Sequence, residues 1–139
     1  MKDKILVKID GSCRQNPHGE MRLAYIIEFN NGEVITYTEV VEAKYGNTLI
    51  SAEYMALNLA IEKLIALNMT GSPIEIITTS SIVYMHFLGH IRPNRGYYVG
   101  EALKAIRNLK RFKSLDIIKV HKKDNIEVAN LYSHSERSF

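Results

Sequence analysis

The chain has 139 residues, 18 Lys or Arg against 15 Asp or Glu, a net charge of +3 and a hydrophobic fraction of 46%. A chain of this length buries a sizeable core, so we predict one domain over residues 1–139. No apolar run is long enough to cross a bilayer, and the N-terminus lacks the pattern of a signal peptide. The single cysteine, Cys13, excludes an internal disulfide. The composition therefore excludes a membrane-spanning or disulfide-stapled protein and predicts a reducing, cytoplasmic location.

The positive charge is concentrated in the second part of the chain. Residues 1–85 hold 7 Lys/Arg against 10 Asp/Glu, a net of −3, and residues 86–139 hold 11 against 5, a net of +6. A basic half can attract the phosphates of a nucleic acid. A solvated charged surface has the same composition, so the charge alone leaves both interpretations open.

The elements in chain order predict an α/β fold. Three β-rich runs come first, and an Asn-Asn-Gly turn at residues 30–32 predicts an antiparallel meander. A long helix with Ser51 as its N-cap follows, then a short apolar strand that we expect to lie parallel to the first. Two helices, a fifth strand and a final helix complete the order. The predicted strands are 4–10, 22–29, 33–41, 74–78 and 115–120, and the predicted helices are 52–67, 80–88, 97–112 and 125–134.

Three segments carry the chemistry of the sequence. Residues 9–17 (Ile-Asp-Gly-Ser-Cys-Arg-Gln-Asn-Pro) end the first strand, residues 52–57 (Ala-Glu-Tyr-Met-Ala-Leu) open a helix, and residues 77–83 (Ile-Thr-Thr-Ser-Ser-Ile-Val) end the fourth strand. In this order they resemble the ribonuclease H type 1 family, whose members cut the RNA strand of RNA–DNA hybrids with two metal ions held by four carboxylates. The resemblance covers nearly the whole chain. It implies a ribonuclease H-like fold, with a mixed five-stranded sheet of a three-stranded antiparallel meander plus two parallel strands, flanked by helices.

The resemblance also assigns the four carboxylate positions. Asp10 and Glu53 take the first two, as the retained catalytic pair and as ligands for Mg²⁺ or Mn²⁺. The third position holds Thr79, and the fourth maps best to Asn130, while a one-residue shift would place Ala129 there. None of these three residues is a carboxylate, so the resemblance implies a divergent member with a degenerate site. Taken without the family, Asp10 also suits a turn after a strand and Glu53 also suits the positive end of a helix dipole.

The turn after the first strand is the expected contact for a nucleic-acid strand, through backbone donors and phosphate contacts. The family usually carries asparagines just before the second motif, whereas this chain has Leu49, Ile50 and Ser51 there. The residues predicted to bind nucleic acid are Gly11, Ser12, Cys13, Arg14 and Asn16.

Three further sets of residues are alternatives. Asp124 and Glu127 lie near the fourth position and could supply a missing carboxylate. His86 and His90 are four residues apart and could share a helix face as zinc ligands, but no third ligand is evident. His121 follows the fifth strand, where some family members place a mobile histidine; a solvated loop histidine is the competing interpretation.

The sequence therefore predicts a divergent ribonuclease H-like domain that binds an RNA–DNA hybrid or another nucleic acid and has lost or weakened metal-dependent cleavage. Any surviving cleavage would use Mg²⁺ or Mn²⁺, and otherwise no cofactor is needed. One alternative is an active hybrid endonuclease with a rearranged metal site. Another is a non-catalytic connector domain with a protein partner, cut from a larger parent protein. No membrane partner is expected.

Overall fold

The computed structural model describes residues 4–137, with side chains as far as residue 131. Residues 1–3 and 138–139 of the predicted domain lie outside the described residues. A 3₁₀ turn over Lys122–Asn125 precedes the last helix. The strands are β1 (Ile5–Cys13), β2 (Met21–Glu28), β3 (Val34–Val41), β4 (Ile74–Thr78) and β5 (Leu115–Lys119), and the helices are α1 (Leu49–Ala66), α2 (Ser81–Phe87), α3 (Val99–Leu109) and α4 (Ile126–Arg137).

The five strands form one mixed sheet in the order β3-β2-β1-β4-β5. β2 runs antiparallel to both β1 and β3, while β4 runs parallel to β1 and β5. The turn between β2 and β3 depends on Gly32, which has a φ of +94° and donates its amide to the Phe29 carbonyl at 3.0 Å. The predicted meander and parallel pair are both confirmed, and with them the fold class.

The two faces of the sheet pack against different helices. Alternate residues of β1, which are Ile5, Val7 and Ile9, are buried in the main core with α1. The opposite face of β2 presents Ala24 and Ile26 to α4. An ion-pair network also joins α4 to the sheet. The Lys8 ammonium lies 2.8 Å from a carboxylate oxygen of Glu28 in β2 and 2.8 Å from a carboxylate oxygen of Glu127 in α4. The sheet is thereby held between α1 on one face and α4 on the other.

α1 begins three residues earlier than the sequence predicts. Thr48, in an extended conformation, is the N-cap, and its hydroxyl oxygen accepts a hydrogen bond from the Ser51 amide at 3.0 Å. The prediction of Ser51 as N-cap is wrong, because its backbone is already helical. Glu53 consequently lies beyond the first turn and is buried, so it does not serve the exposed helix terminus. No helix between residues 4 and 137 is long and apolar enough to span a membrane.

Candidate functional site

The site lies at the carboxyl ends of the parallel strands, beside the antiparallel junction of β1 with β2. Lys8 pairs with Ile77 in the parallel register, so Asp10 and Thr79 reach the same edge two residues later. β5 ends there too, and the Val120 amide after it donates to the Thr78 carbonyl at 2.9 Å. Ligand sites of open α/β sheets lie at such an edge, where the strand order changes direction.

A close approach of two backbones brings α1 to this edge. A Cβ atom on Gly11 would lie 2.5 Å from the Ala52 carbonyl carbon and 2.6 Å from the Glu53 amide nitrogen, closer than real Cβ atoms come. Only glycine therefore allows β1 to contact the second turn of α1. This contact sets Asp10, the residue before Gly11, beside Glu53.

A cavity of about 640 Å³ covers the edge. Asp10, Glu53 and Thr79 line it together, as the resemblance predicts for three of the four positions. Ala129 of α4 lines the cavity, whereas Asn130 is exposed and does not line it. Of the two candidates for the fourth position, Ala129 therefore lies at the cavity and Asn130 does not. Its other lining residues are Gly11, Ser12, Leu49, Ile50, Ser80, Ser81, Ile82, Lys122, Lys123, Asn125 and Ile126.

Burial perturbs both carboxyl groups. Loss of solvation raises the pKa of Asp10 to about 6, against an opposing effect of the Lys122 charge. Loss of solvation also raises the pKa of Glu53 to about 7; the Asp10 charge adds to this, while a hydrogen bond with the Ser80 side chain and the Lys122 charge oppose it. The two carboxyl groups therefore carry fewer than two full negative charges near neutral pH.

The donor set differs from that of a two-ion clamp. Thr79 offers a neutral hydroxyl and Ala129 offers no ligand, while Lys122 and Lys123 bring two positive charges to a cavity with two carboxyl groups. No cluster of three or more His, Cys, Asp or Glu side chains suited to a metal occurs in the described part of the chain.

Neither suggested replacement carboxylate reaches the cavity. Asp124 is exposed and is not among the lining residues. Glu127 is likewise absent from the lining and is paired with Lys8 at 2.8 Å on the sheet face. A rearranged metal site built on either residue therefore has no support in this arrangement.

The predicted nucleic-acid contacts after Asp10 fall into two groups. Gly11 and Ser12 line the cavity. Cys13 instead packs partly against the core, and Arg14 is exposed, 4.0 Å from the Glu20 carboxylate. Asn16 has a structural role, because its side-chain oxygen accepts a hydrogen bond from the Leu49 amide at 3.0 Å and joins the turn to the start of α1.

His86 and His90, the alternative zinc ligands, do not lie on one helix. α2 ends at Phe87, so His86 and His90 do not share a helix face. His86 is buried, and its Nδ1 lies 2.6 Å from the Tyr54 hydroxyl, while His90 is exposed. His121 is exposed at the N-cap of the 3₁₀ turn and does not line the cavity.

Sequence reasoning missed four residues that shape the cavity: Ser80, Lys122, Lys123 and Asn125. The two lysines had a usable signal, since they follow the fifth strand and the carboxyl ends of parallel strands share an edge. Ser80 was expected only to start a helix. Its hydroxyl oxygen does accept from the Val83 amide at 3.1 Å, and its side chain also bonds to Glu53.

Solved structures with a similar fold include ribonucleases H1. The Halobacterium salinarum enzyme is 22% identical, with 92% of this chain and 93% of that chain covered and a TM-score of 0.79. The N-terminal RNase H domain of a Mycobacterium tuberculosis protein is 17% identical, with 94% and 91% covered and a TM-score of 0.81. LC11 ribonuclease H1, isolated from compost by a metagenomic approach, was solved in complex with an RNA/DNA hybrid; it is 20% identical, with 91% and 92% covered and a TM-score of 0.80. No protein-family model and no curated protein matches the chain.

The chain has the ribonuclease H fold over nearly its whole length. At these sequence identities the likeness establishes the fold, and activity has to be argued from the side chains of the site.

Proposed function

We propose that this domain binds RNA–DNA hybrids at the cavity edge and that its metal-dependent cleavage is lost or strongly weakened. The hybrid is the ligand in the LC11 ribonuclease H1 complex, which shares the fold. The observation that carries the loss of cleavage is the composition of the four carboxylate positions: Asp10 and Glu53 are retained, while Thr79 and Ala129 line the same cavity.

The cavity offers groups that suit a nucleic-acid backbone. Lys122 and Lys123 supply positive charge, and Gly11 and Ser12 bring main-chain and hydroxyl groups to the same lining. Contacts of this kind position a duplex through its phosphates and sugars. A hybrid would be recognised by its A-like geometry and its 2′-hydroxyl groups and not by its base sequence.

The same charges disfavour the binding of a metal pair. A pair of divalent ions needs several converging carboxylates, because hard cations favour charged oxygen ligands. Here only Asp10 and Glu53 are available, and the positive charge of Lys122, which lies close enough to act on both carboxyl groups, would repel a cation bound between them. The site then holds at most one Mg²⁺ or Mn²⁺ ion, through these two carboxylates, and that ion would neutralise charge next to a bound phosphate.

Titration of a fluorescently labelled hybrid at several salt concentrations tests the binding. A Lys122→Gln/Lys123→Gln variant should bind less tightly and should lower the slope of log affinity against log salt by about 1 for each lost phosphate contact. Lys63→Gln is the matched control, since Lys63 lies ten residues beyond Glu53 on α1, about 15 Å along the helix axis. Absence of hybrid binding at low salt would contradict the proposal, as would an equal loss in the control.

A further inference from the structure

Three surface loops bring three aromatic side chains together. His18 follows β1, Tyr45 precedes α1 and Tyr97 precedes α3. The rings of His18 and Tyr45 are stacked, with centroids 4.5 Å apart and an angle of 11° between their planes. The ring of Tyr97 stands nearly perpendicular to both. We call His18, Tyr45 and Tyr97 the aromatic platform.

The outer face of Tyr45 is open. The Tyr97 centroid is 5.4 Å from the His18 centroid and 5.4 Å from the Tyr45 centroid, so this ring lies beside the stacked pair and not on top of it. His18 covers only the inner face of Tyr45. Tyr45 is accordingly 77% exposed, the highest value among the large apolar side chains in the described part of the chain.

Hydrogen bonds hold the platform in place. The Tyr97 hydroxyl donates to the Tyr45 hydroxyl at 2.8 Å, and the Gly46 amide donates to His18 Nδ1 at 3.0 Å. An exposed ring that is already fixed loses little conformational freedom when a second flat group stacks on it. Tyr45 is thus exposed to solvent while a hydrogen bond and stacking on His18 hold its ring in place.

The charge around the platform identifies the class of ligand. The three loops, residues 14–20, 42–48 and 88–98, contain four Lys or Arg side chains against two Glu. All four basic residues are exposed, and one of the two glutamates, Glu20, is paired with Arg22 at 3.0 Å. Flat rings together with excess positive charge suit the bases and phosphates of a nucleic acid. The four basic residues are Arg14, Lys44, Arg92 and Arg95.

The platform is within reach of the cavity. Tyr45 precedes Leu49, which lines the cavity, by four residues, so their Cα atoms are at most about 14 Å apart. That span corresponds to about four nucleotides at a rise of 3.4 Å. We propose that the outer face of Tyr45 stacks an unpaired base of a single-stranded extension that continues from a duplex bound at the cavity. This inference rests on the proposed hybrid binding for the position of the duplex and adds a preference for a duplex–single-strand junction.

Three ligands test the platform: a blunt hybrid, the same hybrid with a single-stranded extension of about five nucleotides, and the same extension without bases. The extension is placed at each strand end in turn. For at least one end, we expect the base-bearing extension to bind about tenfold more tightly than the abasic one, because base–aromatic stacking is of that size. Tyr45→Leu should remove this difference and leave blunt-hybrid binding unchanged. Tyr45→Phe keeps the ring and its stacking on His18 but loses the hydrogen bond from Tyr97, so it should keep most of the difference. Tyr37→Leu, at a tyrosine on β3, is the matched control.

A second measurement uses the absence of tryptophan from the chain. Tyr45→Trp creates a single tryptophan at the platform, and its emission should be quenched by the base-bearing extension and not by the abasic one.

The outcomes separate the two proposals. Equal binding of base-bearing and abasic extensions at every strand end, or no change in Tyr45→Leu, would overturn the platform even if the blunt hybrid binds. Binding of the base-bearing extension without binding of the blunt hybrid would support the platform and contradict the proposed function. Binding of none of the ligands would overturn both.

Discussion

The side-chain amide of Asn125 donates a hydrogen bond to the main-chain carbonyl of Ile9 at 2.9 Å, one residue before Asp10. Asn125 is 3% exposed and stands at the end of the 3₁₀ turn, just before α4. Ala129 is four residues further on, one helical turn, and so reaches the cavity that Asp10 lines. Together with the Lys8–Glu127 ion pair and the packing of Val128 on Ala24 and Ile26, this hydrogen bond sets the position of α4 on the sheet.

We expect Asn125→Ala to destabilise the protein by about 1–3 kcal/mol, because the buried Ile9 carbonyl would lose this donor. Urea unfolding measures the loss. Asn130→Ala is the control at an exposed position of the same helix, and its free energy of unfolding should stay within about 0.5 kcal/mol of wild type. An equal loss in both variants would argue against the position described for α4.

Gly11→Ala should lower the free energy of unfolding by about 1–3 kcal/mol or more, because its methyl group would be forced into the backbone of Ala52 and Glu53. The control is Gly100→Ala in α3, where an added Cβ meets nothing within 4 Å. That change should be neutral or stabilising by up to about 1 kcal/mol, since alanine favours a helix over glycine. Thermal and urea unfolding of the pair distinguish the two effects, and a fully stable Gly11→Ala would contradict the close approach.

The raised pKa values predict how stability changes with pH. The pKa values of Asp10 and Glu53 rise from ordinary values of 3.8 and 4.5 to about 6 and about 7, so the folded state binds protons more readily than the unfolded state. The protonated carboxyl groups therefore stabilise the folded state relative to their ionised forms. This contribution to the free energy of unfolding is fully present below pH 4 and is lost as pH rises through 6 and 7. Asp10→Asn removes one of these groups, so its stability should match wild type near pH 4 and exceed it near pH 8.

The expected gain at pH 8 is on the order of 2 kcal/mol. Denaturant unfolding from pH 4 to pH 8 gives the profile, and Asp124→Asn, at an exposed carboxylate, should follow the wild-type curve. A wild-type protein that gains stability relative to Asp10→Asn as pH rises would contradict the sign of the effect.

Restoring carboxylates should restore metal binding. Calorimetry of wild type is expected to show at most one weak Mg²⁺ or Mn²⁺ site, whereas Thr79→Asp/Ala129→Asp should bind two ions, because both substitutions place carboxylates in the lining. Lys122→Met, which removes an opposing charge, should strengthen the single site without creating a second. Two tight sites in wild type would contradict the interpretation of Thr79 and Ala129.

The sequence was sufficient for the sheet, whose strand order and parallel register place Asp10 and Thr79 at one edge. The place of Glu53 in the same cavity was implied by the family resemblance alone, because it depends on the close approach of α1 to Gly11. The sequence was insufficient for the fourth position. Asn130 and Ala129 differ by one residue, and which of them faces the cavity depends on tertiary contacts of α4, such as the Asn125–Ile9 hydrogen bond between residues 116 apart in sequence.

Local patterns also misled at the start of α1. Ser51 and Thr48 are both good capping residues, and only the backbone shows that Thr48 is the extended one. The aromatic platform left no sequence signal, because its three rings come from separate loops without periodicity. Side chains that meet through tertiary contacts between loops are beyond pattern analysis.

The most direct test of the central claim is a cleavage assay with a hybrid whose RNA strand is end-labelled, in Mg²⁺ and in Mn²⁺, with wild type beside Asp10→Asn. We predict that wild type binds the hybrid but cuts it no faster than Asp10→Asn does, or only slightly faster, in either metal. Rapid cleavage by wild type that disappears in Asp10→Asn would contradict the account, and would show that two carboxylates suffice at this site.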